Sequence, residues 1–369
     1  MANNIAAPTE DLASTDAETT INHPLASSEA PLEDGATPSN DSTYGDDISS
    51  TFSVTSLIRD YEIENGRTYH AFKAGRYLMP NDEVSAPNCN CSRIIIDFRN
   101  LKEEQDRMDI AYHAFRMLFD NKPFFAPIGD NPQEIVDVGT GTGIWAIDVG
   151  DAYPGARVRG TDLSPIQPIF VPPNVVFQID DCLEYPWTFK ENSIDLVHTR
   201  DLHGWVVNDW VTFYKESFRV LKPGGYVESQ EFDCMDKCDD DSLPPNSAVH
   251  QWFQLLNEGA VKSGINLRLK PSDLVEAMEE AGLVDIEVKT FKLPFGPWSS
   301  DKKLKQPGIF TLVSMLEGLS GISAGLFTRY LGWDMNRLEV LLAATRAEWR
   351  QKKVHTYVDV CVVYGKKPL

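Results

Sequence analysis

The sequence predicts an α/β fold: a doubly wound, mostly parallel sheet of seven strands, preceded by a helical lid. From Glu134 onward, short apolar runs that suit strands alternate with longer runs that suit helices. This alternation is typical of a parallel sheet with helices on both faces. The first strand also leads into a glycine-rich turn, Gly139 to Gly143, and then into an apolar helix, as in folds that bind a ligand at a helix start.

Three segments differ in composition along the 369-residue chain. Residues 1–50 contain no Lys or Arg and few large apolar residues, so we expect a disordered acidic tail. Residues 51–120 are predicted to form an N-terminal helical lid, with a helix over Asp106 to Asp120 that could cover the mouth of an active site. Residues 121–369 carry the alternating pattern and form the predicted main domain.

Within that domain the hydrophobic pattern predicts seven strands and four later helices. The strands are Glu134 to Val138, Arg157 to Thr161, Val175 to Gln178, Ser193 to His198, Gly225 to Gln230, Val284 to Thr290 and Tyr357 to Tyr364. The helices are Ser247 to Lys262, Ser272 to Ala281, Gly308 to Thr328 and Asp334 to Lys353.

Charge and composition exclude several functions. A formal net charge of −21 argues against nucleic acid as a partner, because binding it depends on Lys and Arg. There is no run of eighteen apolar residues and no secretion signal, so we expect a cytoplasmic or nuclear protein without a membrane partner. The six cysteines are expected to stay reduced, and neither Cys89 with Cys91 nor Cys234 with Cys238 has CxxC spacing. We therefore expect no metal.

The glycine turn and a later carboxylate together predict a nucleoside pocket. Backbone N–H groups at the turn can approach a ligand closely, and Asp162 ends the next strand, where a carboxylate can accept both ribose hydroxyls. NAD is the main alternative ligand. Three details oppose it: the glycines read GxGxG, Asp137 lies inside the strand before the turn, and the sequence Leu-Lys-Pro-Gly-Gly precedes the fifth strand.

Collinear motifs make the sequence resemble the class I S-adenosylmethionine-dependent methyltransferases, and more narrowly their fungal LaeA-like group. The resemblance runs from about Tyr61 to Pro368. Besides the glycine turn, it rests on ENGRTYH from Glu64, EQDR from Glu104, GTDLSPIQP from Gly160, PPNV from Pro172, Asp180 with Asp181, and LKPGG from Leu221. Residues 84–102 depart from the pattern, either as a loop insertion or as a translated intron, of which we favour the intron.

The resemblance implies S-adenosyl-L-methionine as the cofactor and assigns residues to it. Asp137 would lie near the methionine amino group, the turn (Gly139, Thr140, Gly141, Gly143) would face the methionyl part, and Asp162 with Leu163 would hold the ribose. Either Asp180 or Asp181, together with Cys182, would contact adenine. Arg200 would follow the fourth strand, where the site opens toward substrate.

The residues on the substrate side are predicted less directly. Methyl transfer needs alignment above all, and a hydroxyl nucleophile benefits from a general base. His203, just beyond the fourth strand, is the predicted base, although it could equally serve to hold its loop. Tyr69, His70 and Glu231 are further candidates for binding substrate.

Three functions are compatible with this sequence. The first is methylation of a small molecule of fungal secondary metabolism. The second is a LaeA-like regulatory methyltransferase that works with protein partners to control secondary-metabolite genes. The third is a module that binds cofactor without turnover, against which the intact turn and Asp162 argue. Fold alone does not separate the first two.

Overall fold

The computed structural model describes the backbone of residues 61–64, 67–70 and 95–369, and side chains from residue 104 onward. The predicted acidic tail, and the first part of the predicted insertion up to residue 94, lie outside the described residues.

A short antiparallel hairpin comes first, formed by β1 (Tyr61–Glu64) and β2 (Arg67–His70). The remaining strands are β3 (Glu134–Val138), β4 (Arg157–Asp162), β5 (Val175–Ile179), β6 (Ile194–Arg200), β7 (Leu221–Phe232), β8 (Val284–Pro294) and β9 (Tyr357–Lys366). The helices are α1 (Ile95–Leu118), α2 (Ile144–Ala152), α3 (Trp210–Val220), α4 (Ala248–Ser263), α5 (Pro271–Glu280), α6 (Lys302–Gly325) and α7 (Met335–Arg350). A single π-helical turn, Leu326–Tyr330, follows α6.

The main sheet has seven strands in the order β5-β4-β3-β6-β7-β9-β8. Neighbours from β5 to β7 are parallel, whereas β9 runs antiparallel to both β7 and β8. The order reverses at β3, so the carboxyl ends of β3 and β6 border a crevice of the kind that binds ligands in open α/β sheets. The predicted fold class is confirmed.

Most predicted boundaries agree with the structure to within two residues, and four elements extend further than predicted. Helix α1 begins at Ile95 instead of Asp106, and β8 ends at Pro294 instead of Thr290. The other two are β7 and α6.

Strand β7 begins at Leu221 instead of Gly225 and so includes the Leu-Lys-Pro-Gly-Gly sequence that was placed before the fifth strand. Helix α6 begins at Lys302 instead of Gly308, with Asp301 capping it, and continues through Pro307. A proline in the sequence favours a helix start, but the packing of this helix overrides that local preference.

Two apolar layers hold the sheet between helices. On one face, Trp145, Trp252, Phe253 and Trp349 belong to a layer that includes side chains of α1, α4, α6 and α7. On the other, Phe213 and other side chains of α3 and α5 cover the sheet. The helical segment Lys302–Tyr330 is long and apolar enough to cross a membrane, but half of its most apolar window is buried in this domain, as expected of a core helix.

Candidate cofactor and substrate site

The glycine turn lies between β3 and α2 and has a left-handed backbone at each of its glycines. The φ angles are 70° at Gly139, 56° at Gly141 and 82° at Gly143, a region that glycine adopts without the steric cost of a side chain. The N–H groups of Gly139 and Thr140 both donate to the carbonyl of Thr161, at 2.8 and 2.9 Å. These bonds fix the turn against β4, which carries Asp162.

A cavity of about 180 Å³ opens beside this turn. It collects nine of the eleven residues predicted to bind the cofactor: Asp137, Gly139, Thr140, Gly141, Asp162, Leu163, Asp180, Cys182 and Arg200. These residues come from β3, β4 and β6 and from the loops that follow β3, β4 and β5. The crevice predicted by the strand order is therefore a single cavity.

Asp162 is held in one orientation by two backbone donors. Its Oδ2 accepts from the Gly141 N–H at 2.8 Å and its Oδ1 from the Ser164 N–H at 2.9 Å. Burial raises the pKa of this carboxyl to about 6, against the opposing effect of these N–H donors. Each carboxylate oxygen has a second lone pair, so Asp162 can still accept the two hydroxyls of a ribose.

Asp137 is anchored by two side chains at the other end of the turn. Its Oδ2 accepts from Thr140 Oγ1 at 2.6 Å, and its Oδ1 lies 2.7 Å from Nδ1 of the buried His198. The His198 ring stacks on Trp145 with centroids 3.8 Å apart and planes only 4° from parallel. Asp137 is therefore a fixed negative charge at the wall of the cavity, placed to attract an ammonium group.

Arg200 places a cation near this carboxylate. Its guanidinium lies over the rings of Tyr112 at 4.9 Å and Phe115 at 5.6 Å. Its Nε is buried and has no hydrogen-bond partner within the described part of the chain. Arg200 itself lines the cavity, so its guanidinium is placed near the anionic end of a bound ligand.

These residues fit S-adenosyl-L-methionine. Asp137 and Arg200 would hold the ammonium and carboxylate of its methionyl part, Asp162 would hold the ribose, and Asp180 with Cys182 would contact adenine. When bound, the cofactor supplies an activated methyl group on a sulfonium. The protein's own contribution is to orient this group and to exclude water from it.

Helix α1 forms the remaining wall of the cavity, with Met108, Ala111, Tyr112 and Phe115 facing inward. The sequence predicted this helix and its apolar side but assigned no residue of it to the site. Asp201, which follows Arg200 at the end of β6, was also missed. The sequence does show that Asp201 directly follows a strand that borders the crevice, which indicates a site residue. The prediction instead chose His203, two positions later, as the residue on the substrate side.

A second cavity, of about 90 Å³, adjoins the first on the side away from the glycine turn. The two cavities share four lining residues: Arg107, Ala111, Phe115 and Asp201. Elsewhere the second cavity is lined mainly by apolar and aromatic side chains of the β7, α4 and α6 regions. A small apolar molecule in it would reach the cofactor cavity across this shared wall.

Two predicted cofactor residues are corrected by the structure. Asp181 is buried, with Oδ1 accepting from the Leu183 N–H at 2.9 Å, and it is Asp180 that lines the cavity. Gly143 is the N-cap of α2 and does not line the cavity. A side chain there would meet the ring of Phe177 at 2.3 Å, so packing as well as backbone conformation requires glycine.

Glu231, predicted to contact substrate, lines neither cavity. It is 1% exposed, and its Oε2 accepts from the backbone N–H groups of Leu202 and His203, each at 3.0 Å. Glu231 therefore fixes the loop that carries Asp201. Tyr69 and His70 lie on β2, whose side chains are outside the described ones, so their role stays a prediction.

His203 is placed outside both cavities, with each ring nitrogen in a contact that belongs to the fold. Trp210 Nε1 donates to His203 Nδ1 at 2.9 Å, and His203 Nε2 lies 3.1 Å from the carbonyl of Arg268. This arrangement selects the neutral tautomer with the proton on Nε2, and burial lowers the pKa of the ring. Neither nitrogen is available to a substrate, so this geometry does not support His203 as the base.

Replacing His203 by glutamine is expected to leave turnover within a few-fold of the unaltered protein. The free energy of unfolding should fall by about 1 kcal/mol, because the glutamine amide replaces only in part the hydrogen bond that His203 Nδ1 accepts from Trp210 Nε1. Urea denaturation and a methyl-transfer assay on the same preparation measure both. A fall in turnover of a hundredfold or more, with S-adenosylmethionine binding retained, would restore His203 as the base.

Comparison with known proteins shows the family to which the chain belongs. A family model described as a methyltransferase domain matches residues 110–288. The chain is 36% identical to "Methyltransferase pytC" of Aspergillus terreus over 324 residues, which cover 88% of this chain and 93% of that protein. It is 34% identical to "Secondary metabolism regulator laeA" of Monascus pilosus over 307 residues, which cover 83% and 78%. A solved structure of Haemonchus contortus phosphoethanolamine N-methyltransferase 2 with S-adenosyl-L-methionine aligns at a TM-score of 0.41 and 16% identity, covering 89% of this chain and 75% of that one.

Proposed function

Since the chain belongs to the S-adenosylmethionine-dependent methyltransferases that share this domain, we propose that it methylates a small molecule of fungal secondary metabolism. The observation that carries the proposal is the small apolar cavity beside the cofactor cavity. It is large enough for one ring or a short apolar chain and has few polar groups, as expected of a site for a small organic ligand. Similarity to a relative named as a methyltransferase, over 88% of this chain, supports methyl transfer as the activity.

The LaeA-like regulators are the alternative, because a relative at 34% identity bears the name of a secondary metabolism regulator. Such a role would use the same cofactor cavity and would depend on protein partners. It would favour a nuclear location, whereas a biosynthetic enzyme would be expected in the cytoplasm. Methyl transfer in fungal cell extract separates the two. Label from S-adenosylmethionine that enters low-mass metabolites supports the first function, and label that enters only protein supports the second.

Cofactor binding gives the first test. Calorimetric titration is expected to show binding of S-adenosylmethionine and no binding of NAD. In Asp162→Ala the affinity should fall by roughly one to two orders of magnitude, because two hydrogen bonds to a charged group are lost. The exposed Asp130→Ala serves as the matched control and should bind normally. Binding of NAD instead, or of neither ligand, would contradict the proposed function.

A further inference from the structure

The wall between the two cavities carries a carboxylate and a guanidinium close together. Asp201 and Arg107 line both cavities, and the charge of Arg107 favours the ionised form of Asp201. Arg107 is itself fixed by Glu104, whose Oε1 accepts from its Nε at 2.9 Å and its Nη2 at 2.7 Å. A ligand in the second cavity therefore meets one carboxylate at its boundary with the cofactor cavity.

The backbone at Asp201 is held in an uncommon conformation. Its φ angle is 56°, in the left-handed region that glycine, asparagine and aspartate adopt more readily than other residues. The Asp201 N–H donates to the Gln230 carbonyl at 3.1 Å, and Glu231 binds the next two N–H groups of the loop. These contacts hold the loop in which Asp201 lies at the shared wall.

The rest of the second cavity defines the chemistry of its ligand. The aromatic side chains of Phe115, Trp205, Trp252, Phe253 and Phe295 line it. Such walls bind an apolar ring by burial and by edge or face contacts. The Arg107 guanidinium lines the same cavity, but its charge is largely balanced by Glu104, which leaves Asp201 as the ionisable group that determines the polar end of the ligand. A neutral aromatic ring with a hydroxyl group satisfies both the walls and the carboxylate.

We infer that the second cavity binds a phenol-type methyl acceptor and that Asp201 is the base that takes its hydroxyl proton; this inference rests on the proposed function. The phenol oxygen forms a bond to the methyl carbon, and the carbon–sulfur bond breaks with its electron pair left on sulfur. The hydroxyl proton passes to a carboxylate oxygen of Asp201. The products are an aryl methyl ether, S-adenosylhomocysteine and a protonated Asp201.

Several titratable groups surround Asp201 and influence its pKa. Burial raises the pKa of Asp201 to about 6, and the positive charges of Arg107 and Arg200 limit this rise. The other groups with an electrostatic effect across this region are Glu104 from α1, Glu231 from β7 and Cys234 after it. Asp201 is therefore ionised at neutral pH and is a better proton acceptor than an exposed carboxylate.

Binding of a simple phenol tests this inference without turnover. The probe is 4-methylphenol, titrated calorimetrically into full-length protein saturated with S-adenosylhomocysteine, with 4-methylanisole as the analogue that lacks the hydroxyl proton. The affinity for 4-methylphenol should fall about tenfold from pH 7.5 to pH 5, since protonation of Asp201 replaces a charged acceptor by a weaker neutral one. Binding of 4-methylanisole should not change with pH, and in Asp201→Asn the pH dependence for 4-methylphenol should disappear.

A larger side chain on α6 tests whether 4-methylphenol binds in the second cavity, because it would fill that cavity. Met315 lines the second cavity only, whereas Val313 lies on the same helix and is 36% exposed. Met315→Trp should abolish 4-methylphenol binding and keep S-adenosylhomocysteine binding, and Val313→Trp should keep both. Met315→Phe is the milder replacement if the first variant does not fold, with at least a tenfold loss expected.

Three results would overturn the inference: no 4-methylphenol binding to cofactor-loaded protein, undiminished binding in the Met315 variants, or a pH dependence that persists in Asp201→Asn. Failure of the proposed function has a different signature. In that case S-adenosylmethionine and S-adenosylhomocysteine would not bind to the unaltered protein.

Discussion

Replacing Arg200 by methionine is expected to weaken S-adenosylmethionine binding by roughly two to three orders of magnitude, because one partner of a buried charge pair is removed. Arg200 lines the cavity beside Asp137, where its guanidinium can bind the carboxylate of a ligand. Methionine keeps an apolar stem against Tyr112 and Phe115 but has no donor. The affinity for S-adenosylmethionine should therefore fall, and the free energy of unfolding of the ligand-free protein should not.

The ligand itself provides the sharpest control for this prediction. 5′-Methylthioadenosine has the adenine, ribose and methylthio group but lacks the amino-acid end. Its affinity should be almost the same in the unaltered protein and in Arg200→Met. Equal losses for both ligands, measured by calorimetry, would show that Arg200 supports the fold of the pocket and does not bind the methionyl carboxylate.

Arg159→Met is the matched protein control for Arg200→Met. Arg159 also lies on a strand of the same sheet, pairs with Glu134 and has its guanidinium 5.5 Å from the Phe189 ring, but it lines neither cavity. Its replacement should leave both ligands bound with unchanged affinity.

The cofactor side of the site could be predicted because its requirements are local. A left-handed turn demands glycines in a fixed spacing, and a carboxylate at the end of the next parallel strand necessarily lies near that turn. Asp137, Gly139, Gly141 and Asp162 all meet in one cavity for this reason. The choice between Asp180 and Asp181 depended on which way a loop turns, and the sequence carries no signal for that.

The acceptor side depends on contacts between residues far apart in sequence. His203 and Asp201 are two positions apart after β6, and the sequence offers no local rule for which side chain turns inward. Tertiary contacts decide it: Trp210 and Arg268 hold His203 away from both cavities, while Asp201 lies at their shared wall. The second cavity likewise combines α1 with α4 and α6, whose packing no periodicity specifies.

The position of Glu231 also depends on contacts that the sequence does not specify. Its place after a predicted strand of the crevice suggested that it contacts substrate. The structure instead buries it under the loop it supports, with two backbone N–H groups bound to one of its oxygens. Glu228, three residues earlier, has a similar role. Its Oε2 accepts from the N–H groups of Phe125 and Ala126, both at 2.7 Å, and so fixes the segment between α1 and β3.

Glu231→Gln is expected to remove a large part of the pH dependence of folding stability. Burial raises the pKa of Glu231 from 4.5 to about 8 in the folded protein, against the effect of its backbone donors. Between these values the folded state binds more protons at Glu231 than the unfolded state does. The stability that this group contributes is therefore fully present below about pH 4.5 and is lost as pH rises through 8. The glutamine amide oxygen can accept the same two N–H bonds without ionising.

The free energy of unfolding of the unaltered protein should therefore decline by a few kcal/mol across this interval on account of Glu231, and Glu231→Gln should lack that share. At pH 8 the variant should be the more stable protein, which is unusual for the loss of a buried, hydrogen-bonded carboxyl group. Urea denaturation at half-unit pH steps measures the difference, with the exposed Glu276→Gln as a control that should follow the unaltered protein. A variant less stable at every pH would mean that ionised Glu231 stabilises the loop, and that its charge, rather than its acceptor oxygens alone, positions Asp201.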